Sequence, residues 1–245
     1  MLAYIQEQPR TGVEMRARME AFSPGMGKPQ IADAVRIYLA LIQPFPAGTW
    51  GFTGRPTQTQ ASSWLGRSLD NSEGGLRHLI LRYLAAFGPA SAQDIQEWSG
   101  LTSLQGALEA LRAELRVFRD EQGGELFDLP DAPRPPAETP APVRFLPDFD
   151  NLLFAYANRR RVVADEERAA MYINSRTCTT FLVDGFVRGI WKIERRPASI
   201  ALVIEPLFEP LLLPVQDALS EEGERLMRWM LDGAETFEIE FRPSS

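Results

Sequence analysis

The 245-residue chain holds 26 basic and 33 acidic side chains and carries a net charge of −7 at pH 7. This excess of acid weighs against strong nonspecific binding to nucleic acid, which depends on neutralising phosphates, but a local basic face is compatible with an acidic body. The single cysteine, Cys178, excludes an intramolecular disulfide and predicts a cytoplasmic protein. The sequence contains no apolar run of about 18 residues, so no membrane span is predicted.

The first part of the chain, residues 1–70, predicts helices followed by a hairpin. Thr11 can cap a helix over residues 13–22, and apolar spacing predicts another helix over residues 31–42. Residues 43–64 are rich in Pro, Gly and Thr and suit a wing, with Trp50 as one of its aromatic anchors. The order of helices and then wing predicts a degenerate winged helix.

Residues 76–129 give the clearest prediction, that of a complete winged helix. Apolar side chains recur at helical spacing over residues 76–87, Ser91 and Gly100 bound a second helix, and residues 103–115 form a third after a cap at Thr102 or Ser103. Residues 116–119 and 125–129 flank a Gly-containing loop and predict a hairpin. This arrangement is suited to placing its third helix in a DNA groove.

The last part of the chain is predicted to be rich in β-structure. Residues 131–142 contain five prolines and predict an extended linker. After it, strands over residues 177–183 and 186–193 flank the turn Asp184-Gly185, and a third strand covers residues 198–206. Ser220 is expected to cap a helix over residues 221–231, and a last strand covers residues 236–241.

The predicted fold class is therefore α+β, with tandem winged helices before a small antiparallel sheet or partial barrel that carries one or two helices. The predicted domains are a degenerate winged helix at residues 1–70 and a winged helix at 71–130. A Pro-rich linker at 131–143 and a β-rich domain at 144–245 follow.

Candidate DNA-binding side chains lie on the predicted third helix, on the wing and in one basic run. Gln and Arg can read adenine and guanine edges, and arginines can clamp phosphates. The alternative is that none of these residues contacts DNA. The third helix would then present a solvated face, the wing a plain hairpin surface, and the basic run a turn with ion pairs to neighbouring acidic residues. The candidates are Gln105, Arg112, Arg116, Arg119, Arg159, Arg160 and Arg161.

Other chemistry-bearing residues favour structural roles. Asp148 and Asp150 resemble a carboxylate pair, but their spacing after Pro147 more simply predicts a turn and a helix cap. His78, the single histidine, lies in an amphipathic helix, and Cys178 suits a core position. One His and one Cys cannot make a usual zinc site, so neither a metal nor a cofactor is predicted.

Several strings resemble the AlkZ-like winged-helix family of bacteria, a group of alkylpurine and crosslink DNA glycosylases. They include Arg82-Tyr-Leu-Ala-Ala-Phe-Gly-Pro-Ala-Ser91, Asp94-Ile-Gln-Glu-Trp-Ser-Gly-Leu101, Phe127-Asp-Leu-Pro-Asp-Ala-Pro-Arg134, Phe145-Leu-Pro-Asp-Phe-Asp-Asn-Leu-Leu153 and Leu182-Val-Asp-Gly-Phe-Val187. The resemblance implies tandem winged helices that form a concave surface for DNA, with a β-rich C-terminal part.

The resemblance also implies a catalytic Gln-apolar-Gln pair near the start of the family's first winged helix. We expect this chain to lack that unit. Gln58-Thr59-Gln60 has the spacing, but its centre is polar and it falls in a predicted wing. If the chain is an enzyme, the resemblance implies a DNA glycosylase.

Two function classes follow from these patterns. The first is a winged-helix protein that binds double-stranded DNA in damage recognition or repair. The second is a non-enzymatic module for protein–protein interaction, which the net acidity and the glutamates on the predicted third helix favour.

Overall fold

The computed structural model describes residues 1–22, 35, 38–69, 73–164, 172–173, 176–177, 179–197, 199–207, 209–231 and 236–243. The fold is α+β, as predicted, and forms two compact units, Met1–Gly75 and Leu76–Ser245. Among the helices in these ranges, none combines the length and apolar character that a membrane crossing requires.

The first unit contains short helices around a three-stranded antiparallel sheet. Its elements are α1 (Leu2–Glu7), β1 (Arg10–Thr11), α2 (Gly12–Phe22), β2 (Leu41–Ile42), β3 (Thr57–Gln60) and α3 (Ala61–Leu65). The strand order is β1-β3-β2, so the third strand lies in the middle. The side chains of Ile5, Met15 and Val35 form the buried core of this unit.

The predicted cap of α2 is confirmed. The Thr11 hydroxyl accepts a hydrogen bond from the backbone N–H of Glu14, and the Glu14 carboxylate accepts bonds from the backbone N–H and hydroxyl of Thr11. Most of the predicted helix at residues 31–42 lies outside the described residues. Its predicted end was wrong, because Leu41 and Ile42 form a strand that pairs with β3.

The second unit begins with three helices and a hairpin. These are α4 (Glu73–Phe87), α5 (Ala92–Ser99), α6 (Gln105–Leu111), a 3₁₀ turn (Arg112–Glu114), β4 (Arg116–Arg119) and β5 (Glu125–Asp128). The apolar faces of the helices meet in one core around Ile80, Leu84, Ile95, Leu108 and Phe127. The helix spacing read from the sequence is therefore confirmed for all three helices, because each buries its apolar stripe.

The strand pairing of the first unit recurs in the second. Ala90 and Phe127 exchange two backbone hydrogen bonds of 2.8–2.9 Å, so a single bridging residue before α5 pairs with β5. The order is thus Ala90, β5, β4, with the last strand in the middle, as in β1-β3-β2. Among the described residues, the two units therefore share their strand order.

The start of α6 differs from the prediction. Ser103 has a φ of 61° and does not cap the helix, and Leu104 stands at the N-cap. The side-chain oxygen of Gln96 on α5 accepts the backbone N–H of Leu104 at 3.0 Å. The first orphan donor of α6 is therefore satisfied from the neighbouring helix rather than from its own sequence.

A five-stranded sheet follows, in the order β12-β11-β10-β9-β6, and a separate two-stranded pair, β7-β8, lies between β6 and β9 in the chain. The elements are β6 (Arg144–Leu146), β7 (Tyr172–Ile173), β8 (Arg176–Thr177), β9 (Thr180–Val183), β10 (Phe186–Arg195), β11 (Ile200–Pro206), α7 (Leu213–Met230) and β12 (Phe237–Phe241). Between β9 and β10, Asp184 and Gly185 both have positive φ, which confirms the predicted two-residue turn.

The last strand and the last helix differ from the predicted antiparallel arrangement. Strand β12 runs parallel to β11, because α7 carries the chain back across the sheet before β12 begins. Helix α7 starts at Leu213, and Ser220 lies inside it, where its hydroxyl donates to the carbonyl oxygen of Gln216 at 2.8 Å. The prediction that Ser220 caps the helix was wrong, since Pro214 already occupies the first turn.

An ion-pair cluster joins β10 to β12 at one side of the sheet. Glu194 accepts hydrogen bonds from Arg242 at 2.8–2.9 Å, and Arg196 and Lys192 also contact it. Hydrogen bonds from Arg242, and then from Arg196 and Lys192, lower the pKa of Glu194 to about 2.

We expect Glu194→Gln to reduce the pH dependence of stability in acid. The folded pKa lies below the ordinary value of about 4.3, so the ionised form stabilises the fold above that value, and this contribution is lost as pH falls towards 2. Urea unfolding at pH 7, 5, 4 and 3 measures this contribution. The free energy of unfolding of the wild type should approach that of the variant as the pH falls. Glu97→Gln, on an exposed face of α5, is the control, and a parallel pH response of both variants would contradict the expectation.

Candidate nucleic-acid interface

The segment after β6, residues 155–161, docks against α4 and α5 through side-chain hydrogen bonds. The hydroxyl of Tyr83 donates to the carbonyl oxygen of Ala155, and that of Tyr156 donates to the carbonyl oxygen of Phe87 at 2.9 Å. Burial raises the pKa of both tyrosines, so both hydroxyls remain donors at neutral pH.

Asp94 joins the start of α5 to the same segment. One of its carboxylate oxygens accepts the backbone N–H and the hydroxyl of Ser91, each at 2.8 Å, and the other accepts the backbone N–H of Ala157 at 2.8 Å. The side chain is only 5% exposed. A buried carboxylate with three donors both caps α5 and fixes residue 157 against it.

A groove of about 900 Å³ opens beside this junction. Its walls come from the first turn and a half of α5, the start of α6, the β4-β5 hairpin and the docked segment. The lining residues are Ser91, Ala92, Gln93, Asp94, Gln96, Gln105, Asp120, Gln122, Gly124, Glu125, Leu126, Phe127, Ala157, Asn158 and Arg161.

Amides are the commonest polar side chains in the lining of the groove, which also includes the carboxylates of Asp94, Asp120 and Glu125. The amides are contributed by Gln93, Gln96, Gln105, Gln122 and Asn158. Amides both donate and accept, and in pairs they match the edge of adenine. A smaller neighbouring pocket of about 320 Å³ shares Gln93, Ala157 and Asn158 with the groove and adds Arg160. The groove can therefore hold a polar, planar ligand next to guanidinium groups.

The predicted arginines of the third helix and the wing lie beside carboxylates. Arg112 binds Glu109 at 2.8 Å and Glu125 at 2.6 Å, and Arg119 lies 3.7 Å from Glu125. The guanidinium of Arg116 lies 5.0 Å from the ring centroid of Phe118 on its own strand. The ion pairs reduce the positive charge that Arg112 and Arg119 present.

The basic run forms a 3₁₀ turn, Arg159–Arg161, which the side chain of Asn158 caps by accepting the backbone N–H of Arg160. The Arg159 guanidinium packs 5.2 Å from the Phe154 ring centroid, and Arg161 donates to the carbonyl oxygen of Pro89 at 2.7 Å. Of the seven candidates, Gln105 and Arg161 line the groove and Arg160 lines the smaller pocket.

The remaining sequence candidates that the structure describes are not among the residues that line the groove. Asp148 is exposed, and Asp150 accepts the backbone N–H of Leu152 at 2.9 Å, which confirms its role as a cap. His78 is exposed on α4, and Cys178 lies outside the described residues. In the part of the chain that the structure describes, no group of three His, Cys, Asp or Glu residues could hold a metal ion.

Sequence reasoning missed Asp94, Gln96 and Asn158 as residues that build the groove. The spacing of Ser91 and Asp94 matches a capping box and was visible in the sequence. The bond from Asp94 to Ala157, 63 residues away, had no local signal, and the same holds for the bonds of Tyr83 and Tyr156.

The fold and the groove define a class of α+β protein in which two repeated helix-and-hairpin units precede a mixed sheet. The chain belongs to the AlkZ-like DNA glycosylase family, whose model matches residues 1–229. Among solved structures it is similar to Streptomyces sahachiroi DNA glycosylase AlkZ, with a TM-score of 0.72 and 21% identity over 98% of this chain and 67% of that one. A search of curated proteins found no match.

Proposed function

We propose that this chain is a winged-helix protein that binds double-stranded DNA and recognises damaged sites for repair. Membership of the AlkZ-like DNA glycosylase family over residues 1–229 is the observation that carries the proposal. The repeated order of helices and strands, with the last strand in the middle of each small sheet, supports two tandem winged helices. In this assignment residues 1–70 and 71–130 are the winged helices, and residues 131–143 lead to a β-rich domain at 144–245.

The groove in the second unit supplies a set of contacts that suits this role. Gln105 stands at the first position of α6, where a recognition helix presents side chains to base edges. Arg161 also lines the groove, Arg160 lines the smaller pocket beside it, and both guanidinium groups can bind phosphates. The carboxylates that pair with Arg112 and Arg119 make those two residues weaker candidates for phosphate binding.

We assign DNA binding, and no base release, to the described residues. Within Gln58-Thr59-Gln60, the buried Thr59 hydroxyl donates to the carbonyl oxygen of Ile5 at 2.9 Å, and Gln60 accepts from Gln6 at 2.6 Å. These contacts support a structural role for Thr59 and Gln60 in β3 rather than a catalytic one.

Replacing both Arg160 and Arg161 by alanine is expected to weaken duplex binding and to flatten its salt dependence. Each lost phosphate contact reduces the slope of log K against log salt by about 0.9, so the pair predicts a reduction of about 2. Fluorescence anisotropy with a labelled duplex at several salt concentrations measures both quantities. Arg160 and Arg161 are chosen, rather than Arg159, because Arg161 lines the groove and Arg160 lines the smaller pocket beside it.

The matched control is the double variant Arg225→Ala and Arg228→Ala. These arginines lie on α7, away from the groove lining, and their removal changes the net charge by the same amount. An equal loss of slope in both double variants would reject the groove as the contact surface and leave only a general charge effect.

The second candidate function is a module that docks another protein. The pairing of Arg112 and Arg119 with carboxylates favours it, since an acidic hairpin repels phosphates. A wild-type chain that binds no duplex at low salt would favour this second function over the first.

A further inference from the structure

One stretch of the first unit differs sharply in charge from the rest of the chain. From residue 34 to residue 69 the sequence contains Arg36, Arg55 and Arg67 but no aspartate or glutamate, in a chain with 33 acidic residues. The loop between β2 and β3, residues 43–56, lies within this stretch and includes Arg55, which is exposed. The loop therefore has no carboxylate of its own that would repel a phosphate backbone.

Successive turns shape the loop. Backbone N–H groups of Ala47, Thr49 and Phe52 donate to carbonyl oxygens three residues earlier, at 3.1–3.2 Å, and the Thr49 hydroxyl donates to the Pro46 carbonyl oxygen at 2.7 Å. Gly48 and Gly51 have φ values of 79° and 74°, which glycine adopts without strain. Residues 44–52 therefore have a defined backbone before any ligand binds, which lowers the entropic cost of binding.

Two aromatic side chains of this loop are turned to solvent. Phe45 is 81% exposed and Trp50 is 68% exposed. The third aromatic ring, Phe52, lies against its own backbone, since a Cβ added at Gly54 would be 2.7 Å from that ring. The loop thus packs one ring against its own backbone and leaves two large apolar side chains exposed. Their exposure forgoes the free energy that burial of these side chains would contribute.

We propose that residues 43–56 form a DNA contact in which Phe45 and Trp50 stack on unpaired bases of a damaged duplex. The inference rests on the proposed function and adds a ligand class, a duplex with an unstacked base. Bases in intact duplex are stacked on each other, so aromatic side chains gain access where a base is unpaired or displaced. The absence of acidic residues in the loop favours DNA over a basic protein partner.

The test compares two labelled duplexes, one fully paired and one with a single unpaired 2-aminopurine. The wild type should bind the second duplex more tightly and quench its 2-aminopurine fluorescence through stacking. The double variant Phe45→Ala and Trp50→Ala should lose about 10-fold in affinity for that duplex, and less than about 2-fold for the paired one. It should also lose the quenching, whereas Trp50→Phe should keep most of both signals.

Trp229→Ala is the matched control, because Trp229 is also 68% exposed but lies on α7 in the second unit. It should leave both affinities unchanged. Circular dichroism checks that each variant is folded.

The outcomes separate the two proposals. If the wild type binds duplex and the loop variant behaves like it on both DNAs, the stacking inference is wrong and the proposed function stands. An equal loss on both DNAs also overturns stacking on unpaired bases. If the wild type binds neither duplex, the proposed function and this inference both fail.

Discussion

Asp94→Ala is expected to lower the free energy of unfolding of the second unit by about 3 kcal/mol. The substitution removes the side-chain partner of Ser91 at the start of α5, which by itself costs about 1 kcal/mol. It also leaves the partly buried backbone N–H of Ala157 without its acceptor, and an unmet donor that is shielded from water costs roughly 1–3 kcal/mol. Urea unfolding followed by circular dichroism and tryptophan fluorescence measures the change.

Two further variants make this test specific. Asp94→Asn keeps an oxygen that can accept from Ala157 but offers Ser91 an NH₂ group, so it should lie between the wild type and the alanine variant. Glu97→Ala changes an exposed residue of the same helix and should fall within about 0.5 kcal/mol of the wild type. Equal stability of Asp94→Ala and Glu97→Ala would show that Asp94 does not hold the docked segment.

The same variant connects stability to the proposed interface. Asp94 fixes residue 157, and Arg160 and Arg161 follow within one short turn. Loosening this junction should therefore weaken duplex binding even at temperatures where the chain stays folded. The anisotropy assay used for the arginine variants measures this effect.

Gly189→Ala is expected to destabilise the five-stranded sheet by about 3 kcal/mol. Gly189 lies in β10 where the register with β9 shifts, and an added Cβ would overlap the Phe181 ring and the carbonyl oxygen of Glu205. Phe181 is fully buried, and Glu205 belongs to the paired strand β11, so neither has room to move. Inserting a methyl group into such a packed site typically costs about 1–3 kcal/mol. Urea unfolding measures the change in the free energy of unfolding.

Gly106→Ala provides the matched control for this prediction. Gly106 lies in α6 with no atom within 4 Å of an added Cβ, so alanine should stabilise the chain by up to about 1 kcal/mol through helix propensity. A combined Gly189→Ala and Phe181→Leu variant should recover only part of the loss, since the backbone oxygen of Glu205 remains. Tolerance of Gly189→Ala would mean that the sheet can shift at this point.

Much of the local structure could be predicted because its causes lie within a few residues. The capping pair of Ser91 and Asp94, the stop at Gly100 and the turn at Asp184-Gly185 each act over two to four positions, and each is present. Where a cause lay elsewhere in the fold, prediction failed. Thr102 or Ser103 was expected to cap α6, but the side chain of Gln96, from another helix, accepts the backbone N–H at its start.

The candidate site likewise contains features that the sequence showed and features that only the structure showed. The residue types of Gln105, Arg160 and Arg161 were visible in the sequence, and the structure places them around one groove and its neighbouring pocket. The ion pairs of Arg112 with Glu109 and Glu125 make Arg112 a weaker candidate for phosphate binding. Glu125 lies 13 residues away on the hairpin, so this pairing had no local signal in the sequence.

The sequence by itself determined helices α4 and α5, the turn at Asp184-Gly185 and the absence of acidic residues from the loop at residues 43–56, because helix periodicity, capping and composition act over short distances. Only the tertiary structure decided which arginines are neutralised, that Asp94 reaches Ala157 and that the last strand runs parallel to its neighbour. The physical reason is that these contacts join segments far apart in the chain, and their geometry depends on how the apolar faces pack rather than on any local pattern.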